Sequence, residues 1–137
     1  MKTAEFTKLL QTVAHAWNNG NALTASECFS NDAVYIEPPD KQLFIGKDQL
    51  YKYFGGDNDQ SNHMKMIWHN SMFNEETQTG AGEYTFEMDN QNHGVAVIEI
   101  KNEKIAVWRE YQWSGSMSYD KFLDTSKKFK FSIKDVS

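Results

Sequence analysis

Two glutamates stand where a carboxylate can do proton chemistry. Glu37 closes the run Ala33-Val34-Tyr35-Ile36-Glu37 just ahead of Pro38-Pro39, and Glu110 sits among rings in Trp108-Arg109-Glu110-Tyr111-Gln112-Trp113. A carboxyl held among apolar groups gives up its proton less readily, and a like charge nearby raises one of a pair further. Such a group can take a proton from carbon, return it, or add and remove water. The plainer readings are that Glu37 sits in water, and that Glu110 is tied to Arg109 or to a backbone donor. Glu99 could also face inward, but a cross-strand ion pair is the expected role.

Other reactive residue types carry less. His69 alternates with Ile67 on the face opposite Trp68, so an interface or surface role is expected unless a bulge reverses it. His15, His63 and His93 fall on a polar helix face, a loop edge and a turn, with no spacing suited to a metal, and no metal is expected. Cys28, beside Phe29, is expected to be a buried structural thiol. As the single cysteine it excludes an internal disulfide. Gly46 and Gly55-Gly56 lack the strand-to-helix setting of a phosphate loop, and no cofactor is expected.

The elements that must position these groups are legible from periodicity. Phe6, Leu9, Leu10, Val13, Ala14 and Trp17 form one helical stripe, stopped by Asn19-Gly20. Asn21 is expected to cap a second helix over about 22–29, with Leu23 and Phe29 inward. Asn31-Asp32 reads as a turn, 33–37 as a short strand ended by Pro38-Pro39, and Leu43-Phe44-Ile45 as a very short strand. A third helix follows over about 47–54, with Leu50, Tyr53 and Phe54 on one side, then a polar loop from Gly55 to Asn62. From His63 the period becomes 2, giving strands over about 63–74, 80–89, 94–101 and 104–114 in an antiparallel meander. Past Gly115, Ser118 can cap a short helix with Tyr119, Phe122 and Leu123, while Phe129, Phe131 and Ile133 alternate with polar residues. The fold class is α+β, with helices packed on one face of a sheet.

Strand alternation sorts the residues into two faces. Tyr84, Phe86 and Met88 oppose Glu83, Thr85 and Glu87. Trp108, Glu110 and Gln112 oppose Arg109, Tyr111 and Trp113. Met64, Met66, Trp68 and Asn70 oppose Lys65, Ile67, His69 and Ser71. Val95, Val97 and Glu99 oppose Ala96, Ile98 and Ile100. Three helices can cover one face only. The other is expected to carry Ile67, Ile98, Ile100, Tyr111 and Trp113 among charges and to meet a second copy of the chain. The alternative is that the C-terminal tail folds back over it.

Size and charge bound the answer. The chain has 137 residues, 39% of them hydrophobic and 14% aromatic, which is enough for one domain with its own core. The net charge of −5 argues against nucleic acid or an anionic membrane as partner. No apolar run approaches the roughly 20 residues of a membrane span. The N-terminal segment lacks the apolar stretch and cleavage site of a secretory signal, so a cytoplasmic protein is expected.

Several segments also look familiar in order and spacing. They are Ala16-Trp17-Asn18-Asn19-Gly20-Asn21, the run from Cys28 through Asn31-Asp32-Ala33 to Glu37-Pro38, Gly46-Lys47-Asp48-Gln49-Leu50, and Lys104-Ile105-Ala106-Val107-Trp108-Arg109-Glu110-Tyr111. Together the chain resembles the SnoaL-like branch of the NTF2-like superfamily over about residues 3–114, leaving 115–137 as an extension of a single domain, 1–137. The resemblance implies a cystatin-like, NTF2-like cone, in which three N-terminal helices pack in a strongly curved antiparallel sheet that leaves a pocket. Relatives include ketosteroid isomerase, polyketide cyclases, epoxide hydrolases, dehydratases and non-catalytic association domains, many of them dimers through the convex sheet face.

Carried over by position, the isomerase's general base falls on Glu37. Its two oxyanion donors fall on Val13 and at or near Val97, so steroid isomerisation by that route is not expected. The aspartate common in the branch after the Glu-Tyr pair is missing from Glu110-Tyr111-Gln112-Trp113. The matched register turns Ala33, Tyr35 and Glu37 inward with Tyr84, Phe86, Met88, Trp108, Glu110 and Gln112. Trp17, Tyr53, Phe54 and Trp68 complete the expected lining, with Glu37 and Glu110 as the catalytic pair. Such a cavity suits a flat apolar or ring-bearing ligand, or a sugar stacked on tryptophan. The expected function is small-molecule binding with cofactor-free acid/base chemistry of the isomerase, dehydratase, cyclase or hydratase type. The alternative is a non-catalytic dimeric binding or association domain. The dimer face is expected on the side of His69, Arg109, Tyr111 and Trp113.

Overall fold

The computed structural model describes residues 1–37, 42–57 and 65–128. Helices α1 (Thr3–Asn18) and α2 (Ala22–Glu27) come first, then the hairpin β1 (Phe29–Glu37) and β2 (Gln42–Ile45), then α3 (Lys47–Tyr53). The meander follows as β3 (Lys65–Asn74), β4 (Thr79–Glu87), β5 (Gln91–Lys101) and β6 (Lys104–Gly115), and α4 (Tyr119–Lys128) ends the described chain. The six strands form one sheet in the order β2-β1-β6-β5-β4-β3. Neighbours are antiparallel except β1 and β6, which run parallel. The class is α+β as expected, but only two helices precede the first strand. The third follows the β1–β2 hairpin. Pro38-Pro39, His63, Met64, Phe129, Phe131 and Ile133 lie outside the described residues.

The stripe on α1 is buried as its spacing requires, through Phe6, Leu10, Val13, Ala14 and Trp17. Asn21 caps α2 by accepting from the Thr24 amide at 3.0 Å. Leu23, however, is 60% exposed, and α2 turns the small residues Ala22, Ala25 and Ser26 inward. Phe29 is buried as the first residue of β1, which continues past Asn31-Asp32 instead of turning, although its register against β6 shifts between Phe29 and Val34. The β5–β6 turn is made by Asn102 (φ 50°) and Glu103 (φ 63°), the left-handed pair that a two-residue hairpin demands.

The start of α1 is held by a residue far along the chain. Glu75, in the β3–β4 turn, accepts from the Thr3 amide at 2.9 Å, the Thr3 hydroxyl at 3.1 Å and Lys2 Nζ at 3.0 Å. The backbone bond first, then the bonds from Lys2 and the Thr3 hydroxyl, hold its carboxyl down at about 2, against an ordinary 4.5. A depressed carboxylate stabilises the fold above the unfolded value and loses that contribution as pH falls toward the folded one. Glu75→Gln should therefore lower Tm at neutral pH, with the difference from wild type closing between pH 4.5 and about 2 in thermal melts.

A bulge in β3 and the pairing of β5 set the faces. In β3, Trp68 pairs with Tyr84 and Asn70 with Glu83, which leaves His69 as the extra residue. Asn70, expected inward beside Trp68, is thereby turned outward and donates to Glu83 at 2.9 Å. Ser71 turns inward to Thr7 at 3.3 Å, and Phe73 stacks on Phe6 at 4.5 Å. His69 itself keeps to the outer face. In β5, Ile98 pairs with Trp108 and Ala96 with Glu110, so Ala96, Ile98 and Ile100 are buried in the core. This corrects the expectation that Ile98 and Ile100 lie outside with Tyr111 and Trp113. Glu99 faces outward and takes Arg109 at 2.5 Å, the ion pair expected of it.

The outer face is partly covered by the chain's own α4. Ser118 accepts from the Lys121 amide at 3.3 Å, as a cap should. Tyr119 stacks on His69 with ring centroids 3.5 Å apart and donates to Glu83 at 2.8 Å. Beneath it, His93 Nε2 lies 2.6 Å from the Met117 carbonyl, so that nitrogen carries the hydrogen. Thr85 then donates to His93 Nδ1 at 2.9 Å and accepts from His69 Nε2 at 2.7 Å. Tyr111 and Trp113, each 54% exposed, remain uncovered.

Candidate functional site

A cavity of about 250 Å³ opens between the helices and the inner sheet face. Helix α1 contributes Trp17, β1 contributes Tyr35, and α3 with its C-cap contributes Tyr53 and Phe54. Tyr84, Phe86 and Met88 come from β4 and its end, and Glu110 and Gln112 from β6. Each of these is among the residues expected to face inward, the strand residues from the register that the resemblance implies and Trp17, Tyr53 and Phe54 from the helices. Three expected residues are not in the lining. Trp108 is fully buried beneath the cavity, stacked on Tyr35 at 5.4 Å. Trp68 packs against α1 and donates to the Leu10 carbonyl at 2.8 Å. Glu37 is buried behind Gln42. Alternation gives a residue's face and not its depth, which is why inward-facing tryptophans were read as lining.

Gln42 and Met66 were missed. Gln42 pairs with Glu37 across the β1–β2 hairpin. Its Nε2 donates to Glu37 Oε2 at 2.8 Å and to Glu110 Oε1 at 3.0 Å, so one amide bridges the two carboxyl groups. The clue was its place two residues before Phe44, which gives both the same face of β2.

Glu110 is 5% exposed and is met by four neutral donors. Tyr35 donates to Oε1 at 3.1 Å alongside Gln42, and Tyr84 (3.1 Å) and Trp108 Nε1 (3.3 Å) donate to Oε2. Burial pushes the Glu110 carboxyl above its ordinary value. The donors from Trp108, Tyr84 and Tyr35 pull the other way, and the charge of Glu37 adds to the rise. Burial also raises the phenols, with the Glu110 charge next: Tyr53 to about 12, and Tyr35 and Tyr84 well above their ordinary value. All three therefore stay protonated at neutral pH.

Tyr84 has one hydroxyl proton and two acceptors, Glu110 Oε2 at 3.1 Å and Gln112 Oε1 at 2.9 Å. The geometry admits two complete patterns. With Glu110 ionised, Tyr84 donates to it. With Glu110 protonated, Glu110 donates to Tyr84, which turns its proton to Gln112. The two states differ by one proton and need no movement of heavy atoms.

The oxyanion-donor positions carry no donor. Val13 is fully buried in the core, and Val97 faces outward, paired with Arg109. Trp17 Nε1, buried in a ring that lines the cavity, has no hydrogen-bond partner. Cys28 is buried, which raises its thiol, and donates to the Thr24 carbonyl at 3.4 Å, as a structural thiol would. Among the described residues, no group of three or more His, Cys, Asp or Glu is placed to hold a metal.

The profile of the SnoaL-like domain matches residues 10–108. No curated protein matches the chain. Solved structures do. A protein of unknown function with a cystatin-like fold from Methylobium petroleophilum is 18% identical, with 87% of this chain and 82% of that one covered at a TM-score of 0.74. An NTF-2 like protein of unknown function from Burkholderia xenovorans is 13% identical over 97% and 98% of the two chains, at 0.71. An LEH-like epoxide hydrolase from M. tuberculosis is 17% identical over 91% and 92%, at 0.64. At these identities the likeness is one of fold.

Proposed function

The chain belongs to the SnoaL-like domain family, and from that premise we propose that it is a cofactor-free acid/base enzyme acting on a small ring-bearing molecule. The reaction is of the isomerase, dehydratase, cyclase or hydratase type. Glu110 takes a proton from the substrate and returns it. Tyr84 and Gln112 absorb the change in its protonation, and Glu37 acts on Glu110 through Gln42. The unpartnered N–H of Trp17 receives a substrate oxygen as charge develops on it. The observation that carries this reading is Glu110: a buried carboxyl in the cavity whose hydrogen bonds are complete both with and without its proton. Carbon-13 NMR titration of the side-chain carboxyls tests it. The Glu110 resonance should titrate above 4.5, and a value at or below that would remove the base from the proposal.

The rest of the reading is architectural. The domain spans 1–137 with 115–137 as an extension, its sheet curves as a cone around the cavity, and it works in the cytoplasm. A homodimer forms through the outer face where Val95, Tyr111 and Trp113 stay exposed beside α4. Tyr119 stacks on His69, which favours the Tyr111 and Trp113 end of that face for the contact. Sedimentation velocity should show a dimer that Trp113→Glu converts to monomer; a monomeric wild type would refute this.

A further inference from the structure

Every group hydrogen-bonded to Glu110 is neutral: Tyr35, Gln42, Tyr84 and Trp108. Among the described residues, no Lys, Arg or His lines the cavity. A buried carboxylate is ordinarily balanced by a cation or by its own proton. The rings around the same space are tilted against one another: Trp17 and Phe54 by 59°, Tyr35 and Tyr53 by 57°, and Tyr53 and Phe54 by 49°. Tilted rings offer electron-rich faces from several sides, the arrangement that receives a desolvated ammonium. A second observation is independent of the acids. Trp17 is 9% exposed and lines the cavity, and its Nε1–H is buried without a partner. Unmet buried donors are rare, because each forfeits a hydrogen bond that water would have given it.

Resting on the reading of this cavity as the substrate site, we propose that it takes a small organic cation, a tertiary or quaternary ammonium that also carries an oxygen acceptor. The ammonium lies among the rings beside Glu110, and the oxygen accepts from Trp17 Nε1. The bound charge holds Glu110 as the carboxylate, the form that accepts from all four of its donors and can act as a base. The chain's net charge of −5 favours the approach of such a ligand.

Choline and dimethylbutanol, its uncharged carbon analogue, separate charge from shape. By isothermal titration calorimetry at neutral pH, choline should bind the wild type at least about tenfold more tightly than dimethylbutanol. Glu110→Gln should remove that preference while dimethylbutanol binding persists. Trp17→Phe keeps a ring and loses the N–H, so it should weaken choline but not tetramethylammonium, which has no oxygen. Should Glu110→Gln fail to fold, the wild type supplies a second measurement. Choline binding at a pH where Glu110 is partly protonated should release protons to the buffer, the other ionisable groups being the phenols of Tyr35, Tyr53 and Tyr84 at the cavity and Glu37 behind Gln42. Equal affinity for choline and dimethylbutanol would overturn the cation and leave the acid/base cavity standing. An unchanged choline affinity in Trp17→Phe would overturn the oxygen contact. Binding of neither compound at millimolar concentration would overturn the cation and the ligand site together.

Discussion

Trp108→Ala should cost the fold about 3–5 kcal/mol, the range for removing a large aromatic from a closed core. Trp108 is fully buried, and four other rings surround it. Tyr35 stacks on it at 5.4 Å, with Trp17 at 5.6 Å, Trp68 at 5.8 Å and Phe29 at 6.0 Å. These rings arrive from α1, β1 and β3, so the cavity left by alanine cannot close by moving one element. The loss is a large part of the roughly 5–15 kcal/mol that holds a domain of this kind together. The indole also donates to Glu110 Oε2, so alanine withdraws one of the donors that keep Glu110 ionisable. Urea denaturation followed by far-UV circular dichroism reads the effect. Trp113→Ala, in the same strand but on the exposed face, should stay within about 0.5 kcal/mol of wild type in monomeric protein. A cost below about 1.5 kcal/mol for Trp108→Ala would mean that the ring cluster is not the centre of the core.

The contrast between these two tryptophans was legible in the sequence because β6 alternates cleanly: Trp108, Glu110 and Gln112 on one side, Arg109, Tyr111 and Trp113 on the other. β5 was not, since both of its faces are apolar, Val95 and Val97 against Ala96, Ile98 and Ile100. Only the pairing of Ile98 with Trp108 decides which face is inside. A bulge such as that at His69 leaves no mark on hydrophobic period until the partner strand is known. This one moved Asn70 and Ser71 across the sheet. Leu23 misled because α2 has six residues, under two turns, too few for a period to show. Within the site, the carboxyls and most of the rings were readable, but the hydrogen bonds between them were not. Gln42 joins Glu37 to Glu110 through the pairing of β2 with β1, a relation between strands rather than a pattern within one.

That bridged arrangement makes Glu110→Gln the substitution with the largest functional effect. With a substrate found by screening, kcat/KM should fall roughly 100- to 10,000-fold, the worth of a positioned general base. In the wild type, kcat/KM should rise with pH through the raised value of Glu110, and in the variant that rise should vanish. Glutamine is a fair test of chemistry against structure. Its amide can donate to Tyr84, which then donates to Gln112 as beside the protonated acid, at the cost of the bond from Trp108 Nε1. The stability signature is opposite to that of Glu75. A carboxyl raised on folding leaves the folded state holding more protons than the unfolded chain, so its contribution is present below 4.5 and is lost as pH rises through the folded value. Wild type should therefore lose stability relative to Glu110→Gln across that window, whichever substrate is used. Tyr84→Phe separates the two parts of the machinery. It removes the hydroxyl between Glu110 and Gln112 while leaving the carboxyl in place, so activity should fall and the pH rise should remain, displaced because Glu110 has lost a donor. If Glu110→Gln keeps full activity and an unchanged pH profile, Glu110 is a buried structural acid and the proton chemistry must be sought elsewhere.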